Sequence, residues 1–158
     1  MNFFDEIQVG DKEVFGSHLF TREEIIAFAQ AYDPQPFHLD EEAAKRTHFG
    51  GLVASGWHTA AMWMRLFVEY QKRVAGERMA RGAPVPEAGP SPGFKNLRWL
   101  KPVYAGDTIT YATEARDKHT TKSHPRFGLL IAYNSGVNQD GVLVFDFQST
   151  VFLERHPA

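Results

Sequence analysis

The part of the sequence that most constrains the fold is a long stretch, residues 56–75, which reads GWHTAAMWMRLFVEYQKRVA and carries almost no charge in its first half. Its first charged side chains are Arg65 and Glu69. A helix that is apolar nearly all round is buried on most sides. At about 1.5 Å per residue, a helix of this length would span roughly 30 Å. The stretch therefore predicts a central helix around which the remaining elements pack.

The pattern after the central helix predicts strands. Residues 76–93 are rich in Gly, Pro and Ala, a composition typical of a long surface loop. The turn at residues 138–141, NQDG, would join two strand-like segments as a hairpin. Long strands after one buried helix indicate an α+β fold, in which an antiparallel sheet curves around the helix. The predicted strands are 12–20, 94–103, 107–119, 126–138 and 142–154.

Two shorter helices are predicted before the central helix. Thr21 can cap a helix over residues 22–32, and Glu24 would complete a capping box three residues later. A second, short helix is predicted over residues 41–46. Residues 1–11 are expected to form a loosely packed lead-in to the first strand.

A carboxylate and an imidazole, Asp33 and His38, stand five residues apart between these two helices. Pro34 directs Asp33 away from α-helical geometry, because the proline ring crowds the preceding residue. Asp33 is therefore expected at a junction between helix and loop. Pro34 and Pro36 both have a fixed φ, so the loop between the two side chains should be stiff. Such a loop could hold a water molecule without an ordering cost at each turnover.

The start of the central helix supplies a candidate anion site. Ser55 is a good N-cap, and Gly56 would let a ligand approach the free N–H groups of the first turn. Ser55 is either this cap alone or a second hydrogen-bonding group. At their spacing, Asp33 and His38 could also be a turn cap and a packed side chain. The proline-flanked loop and the helix start favour an acid/base pair with an oxyanion site.

Three segments resemble one known family. Residues 33–38, DPQPFH, resemble the Asp-x-Asn-Pro-x-His signature of MaoC-like, (R)-specific enoyl-CoA hydratases. Residues 49–56, FGGLVASG, resemble the segment that leads into that family's central helix, and residues 100–107, LKPVYAGD, resemble its Pro-Val…Gly-Asp strand entry. The segments follow the family's order across residues 8–153. Gln35 is a departure, since many relatives have Asn there.

The resemblance implies a hot-dog fold for a single domain, residues 1–158. It also implies hydration of a trans-2-enoyl-CoA to an (R)-3-hydroxyacyl-CoA, or the reverse dehydration. Asp33 would take a proton from a water molecule that His38 orients, and the Gly56 N–H would polarise the thioester carbonyl. The candidate substrate-binding residues are Ser55, Gln35 and Trp57. Trp57 is alternatively a core or dimer contact, as are Trp63, Phe67 and Tyr70.

Composition narrows the possible partners. A net charge of −2 and a pI near 6.4 give no basic footprint for nucleic acid. The absence of cysteine excludes disulfides, thiolate metal sites and a cysteine nucleophile. The seven histidines show no metal-binding spacing such as HExxH, so no metal is expected. No signal peptide and no membrane-spanning run stand out, which favours a cytoplasmic protein without membrane contact.

The resemblance further implies an acyl-CoA thioester as substrate, no cofactor beyond the CoA it carries, and at least a homodimer formed through edge strands. Two other functions remain open. A hot-dog thioesterase commonly carries Asp or Glu within the long helix, and here none occurs before Glu69. The second is a non-catalytic acyl-CoA binding or dimerisation module, which the intact Asp33 and His38 argue against.

His48 and His58 are either structural or pocket-lining, and three arginines could contact CoA phosphates or be simply solvated: Arg73, Arg78 and Arg81.

Overall fold

The computed structural model describes residues 2–87, 89–120 and 123–156. In this part of the chain the helices are α1 (Arg22–Tyr32), α2 (Pro36–Leu39), α3 (Glu41–Lys45) and α4 (Gly56–Ala80), and a short 3₁₀ turn covers Phe4–Glu6. The strands are β1 (Lys12–Leu19), β2 (Gly93–Trp99), β3 (Thr108–Thr120), β4 (Phe127–Val137) and β5 (Leu143–Glu154).

The strands form one antiparallel sheet in the order β1-β3-β4-β5-β2, so β1 and β2 are its edges. The predicted hairpin joins β4 to β5. Its turn is closed by a hydrogen bond from the Asn138 N–H to the Val142 carbonyl at 2.9 Å. Gly141 in this turn has a φ of 77°, a left-handed conformation that glycine adopts without strain. β2 ends at Trp99, earlier than predicted, shortly before Pro102, which has no N–H to donate.

Helix α4 packs on the sheet through one face. Tyr111 of β3 donates a buried hydrogen bond to the Thr59 carbonyl of α4 at 2.9 Å. Trp63, one turn later, is 5% exposed and its ring meets Phe147 of β5 edge-on at 4.8 Å. The predicted α+β, hot-dog architecture, an antiparallel sheet with one long central helix, is confirmed. The buried core around this contact includes Phe20, Ile25, Leu52, Ile109, Val144 and Phe145.

Helix α4 is longer than predicted. Residues 76–80, assigned from composition to a surface loop, form its last turns, so the irregular segment begins at Arg81. An ion pair between Arg73 and Glu77 at 2.7 Å spans Gly76 and stabilises the helix there. The helix ends at Ala80, and Gly82, two residues later, has a φ of 67°, which suits a C-terminal glycine cap. The prediction, which rested on the composition of residues 76–93, placed the end of the helix five residues too early.

Helix α4 is also less buried than an all-round apolar helix would be. Trp57, Met64 and Val68 are 55%, 52% and 40% exposed, respectively. Phe94 on the neighbouring edge strand β2 is 61% exposed. The prediction of burial on most sides is therefore wrong for the isolated chain, because nothing in the described residues covers this outer face.

The N-terminal lead-in is packed, contrary to the prediction. Phe3 and Phe4 are 2% and 4% exposed. The Phe4 ring lies against Gly128 of β4, where an added Cβ would fall 2.4 Å from it. Glu6 pairs with Arg78 near the end of α4 at 2.7 Å. The lead-in therefore closes the far end of the helix onto the sheet.

None of the helices within the described ranges is both long and apolar enough to cross a membrane.

Candidate active site

Asp33 stands at the end of α1, where the sequence predicts it. At the start of the helix, the Glu24 N–H donates a hydrogen bond to Thr21 Oγ1 at 3.2 Å, and the helix ends at Tyr32. Asp33 itself has a φ of −151° and a ψ of 68°, outside the helical range. Pro34, which crowds α geometry at the residue before it, accounts for this end. The carboxylate is thereby directed away from the helix.

His38 lies in a helical turn rather than in a loop. Pro36 occupies the first position of α2, where a missing N–H costs no hydrogen bond. The predicted loop therefore extends only to Gln35. The turn buries the His38 side chain, which is 6% exposed, and brings its Nδ1 to 2.7 Å from the Val53 carbonyl oxygen.

An extended strap, residues 52–55, joins the two halves of the site. The Ala54 N–H donates to the Val103 carbonyl at 2.8 Å, and the Ala105 N–H donates to the Leu52 carbonyl at 3.1 Å. On its other side, the Val53 N–H donates to the Phe37 carbonyl at 3.3 Å. The strap thus carries the start of α4 beside Asp33 and His38.

The Asp33 carboxylate is the centre of a polar cluster. Gln35 Nε2 donates to its Oδ1 at 2.8 Å, and Ser55 Oγ donates to its Oδ2 at 2.7 Å. His38 Nε2 lies 3.4 Å from the same Oδ2. Burial raises the pKa of Asp33, but the two hydrogen bonds and the His38 charge outweigh it, so its pKa lies below the ordinary value. Asp33 is therefore held as an anion.

The backbone fixes the tautomer of His38. The Val53 oxygen can only accept, so His38 Nδ1 must carry a proton. In the neutral imidazole, Nε2 then has the free lone pair, and it faces Asp33. A water proton placed between these atoms has two acceptors. The arrangement suits general acid–base chemistry.

The start of α4 offers an unused backbone donor. Ser55 Oγ accepts the Trp57 N–H at 3.2 Å, whereas the Gly56 N–H has no acceptor within the described residues. The reason for glycine at position 56 differs from the prediction. Trp99 packs against it, so that an added Cβ would lie 2.4 Å from the indole ring. Trp99 Nε1 also donates to the Gly56 carbonyl at 2.8 Å.

One cavity of about 420 Å³ is lined by all the predicted catalytic and substrate-binding residues. Trp57 lies at its edge, half-exposed, with its ring 5.1 Å from that of Trp99. Sequence reasoning missed Trp99 and Lys101, which also line the cavity, because no local pattern connects β2 to the helix start. The predicted residues that line the cavity are Asp33, Gln35, His38, Ser55, Gly56 and Trp57.

The remaining candidates lie away from this cavity. His48 is exposed. His58 is 3% exposed and stacks on Phe28 at 4.5 Å, and burial with the nearby His18 charge lowers the pKa of His58 to about 4. Arg73 and Arg78 pair with glutamates at 2.7 Å, on the half of α4 remote from Gly56. The described ranges contain no group of three or more His, Cys, Asp or Glu that could hold a metal ion.

Known proteins resemble this chain in sequence and in fold. Residues 8–127 match the protein family described as MaoC like domain. The crystal structure of the MaoC-like dehydratase from Rhodospirillum rubrum is 35% identical, with a TM-score of 0.83 over 100% of both chains. The (R)-hydratase from A. caviae has a TM-score of 0.65 over 96% of this chain and 98% of that chain. At 22% identity, the second likeness shows the fold alone.

Three curated relatives extend the comparison. Bacillus subtilis YdeM is 29% identical over 151 residues, 96% of this chain and 98% of the relative. Klebsiella aerogenes protein MaoC is 33% identical over 78% of this chain, which spans only 33% of that longer protein. The 3-hydroxybutyryl-CoA dehydratase of Methylorubrum extorquens is 25% identical over 88% of this chain and 80% of the relative. With the family match across most of its length, the chain belongs to the MaoC-like dehydratase family.

Proposed function

We propose that the protein reversibly hydrates a trans-2-enoyl-CoA to an (R)-3-hydroxyacyl-CoA. The observation that carries the proposal is one cavity lined both by the Asp33–His38 pair and by Gly56, whose N–H starts the central helix. A water-activating pair and an oxyanion donor are the two parts that this reaction needs. A relative named as a 3-hydroxybutyryl-CoA dehydratase supports the substrate class.

The acid/base work falls to Asp33 and His38. As the water oxygen bonds to C3, its proton passes to the pair, with Asp33 as acceptor and His38 orienting the water. The electrons of the C2=C3 double bond move toward C2, and the thioester oxygen gains negative charge. Transfer of a proton from the pair to C2 then completes the addition of one water molecule. Dehydration follows the same steps in reverse.

The developing charge on the thioester oxygen is met by the Gly56 N–H. This donor stands at the N-terminus of α4, where the helix dipole also favours negative charge. Removing one such donor in other enzymes raises the barrier by roughly 3 to 4 kcal/mol. Gln35, Ser55 and Trp57 line the same cavity and remain candidate contacts for substrate.

We further propose that the protein is a cytoplasmic homodimer, formed through the uncovered face of α4 and edge strand β2. An unpaired strand edge is a template for pairing with a second chain. Contiguous exposed apolar side chains mark interaction sites on proteins of this kind. The residues of this face, called the α4–β2 face below, are Trp57, Met64, Val68, Phe94 and Trp99, all at least 40% exposed.

Thioester hydrolysis is the rival reaction. The carboxylate that hot-dog thioesterases commonly place in the long helix has no counterpart in α4 before Glu69, which is exposed and pairs with Arg65 at 3.0 Å. A binding module without activity is the second rival. The polar cluster around Asp33 favours catalysis over binding alone, since it holds a carboxylate and an imidazole in position to share a proton.

The test uses crotonyl-CoA as substrate, with the absorbance of the enoyl thioester and the release of free thiol recorded together. We expect loss of the enoyl band without thiol release. Thiol release would identify a thioesterase, and an unchanged spectrum across a panel of enoyl-CoA chain lengths would favour a binding module. Either result would overturn the proposal.

A further inference from the structure

We propose that Lys101 is a specificity-determining residue, whose ammonium group binds the phosphate at the end of the substrate's pantetheine arm. The inference rests on the proposed function, because it concerns the carrier half of the acyl-CoA thioester that would occupy the same cavity. It gives a task to a charged group that lines the cavity and that the acid/base chemistry leaves unused.

The charges of the cavity point to a ligand that carries phosphate. With the His38 imidazole neutral, the charged side chains among the described residues that line it are Asp33 and Lys101. Asp33 is held as an anion, which repels a phosphate-bearing ligand. A cation in the same cavity offsets this repulsion and attracts the ligand. Lys101 therefore supplies the charge that such a substrate requires.

The Lys101 ammonium is not used by the fold. Within the described ranges it forms neither a hydrogen bond nor an ion pair, and its side chain is exposed. Arg98, three residues earlier, is by contrast bound to both carboxylate oxygens of Asp146. A lysine carries a compact charge on a flexible stem and is a common phosphate ligand in proteins. Lys101 is therefore free to bind a ligand.

The course of the chain brings Lys101 near the oxyanion donor but on the solvent side of the cavity. Trp99 contacts Gly56 directly, with its Nε1 2.8 Å from the Gly56 carbonyl oxygen. Lys101 follows two residues later, so its backbone lies within roughly 7 Å of that of Trp99. The Leu100 N–H donates to the Val144 carbonyl at 2.8 Å, which fixes the backbone here. A pantetheine arm whose thioester oxygen contacts Gly56 would therefore leave the cavity past Lys101.

Substitutions can separate the charge from the rest of the side chain. Lys101→Met keeps the apolar stem and removes the ammonium, whereas Lys101→Arg keeps a positive charge. Lys95→Met is the matched control, since Lys95 is an exposed lysine of β2 that does not line the cavity. If Lys101 were simply solvated, all three variants would behave like the wild type.

The first readout compares steady-state kinetics on crotonyl-CoA, crotonyl-phosphopantetheine and crotonyl-pantetheine, the last of which has no phosphate. We expect Lys101→Met to raise KM about fivefold for the first two, the upper range for one exposed ion pair. The KM ratio of variant to wild type should stay near one for crotonyl-pantetheine. An equal increase with all three thioesters would overturn the inference. An increase with crotonyl-CoA alone would place the contact on the nucleotide and also overturn it.

The second readout does not depend on activity. Isothermal titration calorimetry measures the binding of free CoA and of pantetheine to the full chain. We expect Lys101→Met to weaken CoA binding about fivefold, and Lys101→Arg and Lys95→Met to bind CoA like the wild type. Equal CoA affinity in wild type and Lys101→Met, or no CoA binding by the wild type, overturns the inference. Lysine-dependent CoA binding without hydration of any enoyl-CoA would instead count against the proposed function only. If Lys101→Met does not fold, Lys101→Gln is measured under the same criteria.

Discussion

The indole of Trp99 lies against Gly56 and donates from its Nε1 to the Gly56 carbonyl at 2.8 Å. An edge strand thus fixes the peptide that begins the central helix. Because the ring fills the space beside the Gly56 Cα, the N–H that would meet the thioester is held in one orientation. The orientation of this N–H therefore depends on a contact between residues 43 positions apart.

We expect Gly56→Ala to displace Trp99 and to lower hydration activity by at least about tenfold. The added methyl would lie 2.4 Å from the indole, a distance that real contacts do not reach. Crotonyl-CoA hydration and thermal unfolding measure the two effects. Gly76→Ala is the matched control, since its added methyl meets nothing within 4 Å. It should keep activity and gain about 0.5 to 1 kcal/mol of stability. Full activity in Gly56→Ala would count against the placement of the oxyanion donor.

The buried His58 predicts a stability that falls in mild acid. Unfolded His58 takes up a proton as the pH drops through 6.5, whereas in the folded protein its pKa is about 4. Between these values the unfolded state binds more protons, so stability decreases as the pH falls. Thermal unfolding measured across this window should show the loss.

The matched pair for this effect is His58→Phe and His48→Gln. Phenylalanine keeps the stacking on Phe28 and cannot titrate, so the decline between pH 6.5 and about 4 should become shallower. His48 is exposed, and its replacement should leave the decline unchanged. Equal pH dependence in all three proteins would assign the acid sensitivity to other groups.

The α4–β2 face predicts a dimer that a single charge can weaken. We expect the wild type to run as a dimer in size-exclusion chromatography with light scattering. Phe94→Glu would place a carboxylate on edge strand β2, within this apolar face, and should yield a monomer. Val9→Glu alters a similarly exposed apolar residue outside this face and should remain dimeric. A monomeric wild type would contradict the prediction.

The sequence predicted best those helices whose two ends are both marked by a local residue, such as a capping side chain or a proline. Helix α1 begins just after its cap Thr21 and ends before Pro34 as predicted, because a capping side chain and a proline act locally. The end of α4 was missed because residues 76–93 have the composition of a loop, although the Arg73–Glu77 ion pair stabilises the helix past Gly76 and the helix continues to Ala80. When composition favours a loop, a side-chain pair one turn apart on the helix surface can still extend the helix.

In the candidate site, too, residues within local motifs were predicted and residues placed by distant contacts were missed. Asp33, His38 and Gly56 were found from short motifs, and the structure brings them into one cavity. Trp99 was not found, because its contact with Gly56 depends on the pairing of β2 with β5. The bond from Ser55 to Asp33 was also not foreseen, since the course of the strap that carries Ser55 back to α1 follows from backbone bonds to distant residues.

The most direct test of the account compares crotonyl-CoA hydration by the wild type, Asp33→Asn and His38→Ala. Each substitution removes one member of the pair, and Asn keeps the shape of Asp33. We predict at least about a hundredfold loss of kcat in both, the usual scale for losing a general acid or base. Asp140→Asn and His48→Ala, at exposed positions, should keep wild-type rates. Folded Asp33→Asn and His38→Ala proteins with near-wild-type rates would contradict the account.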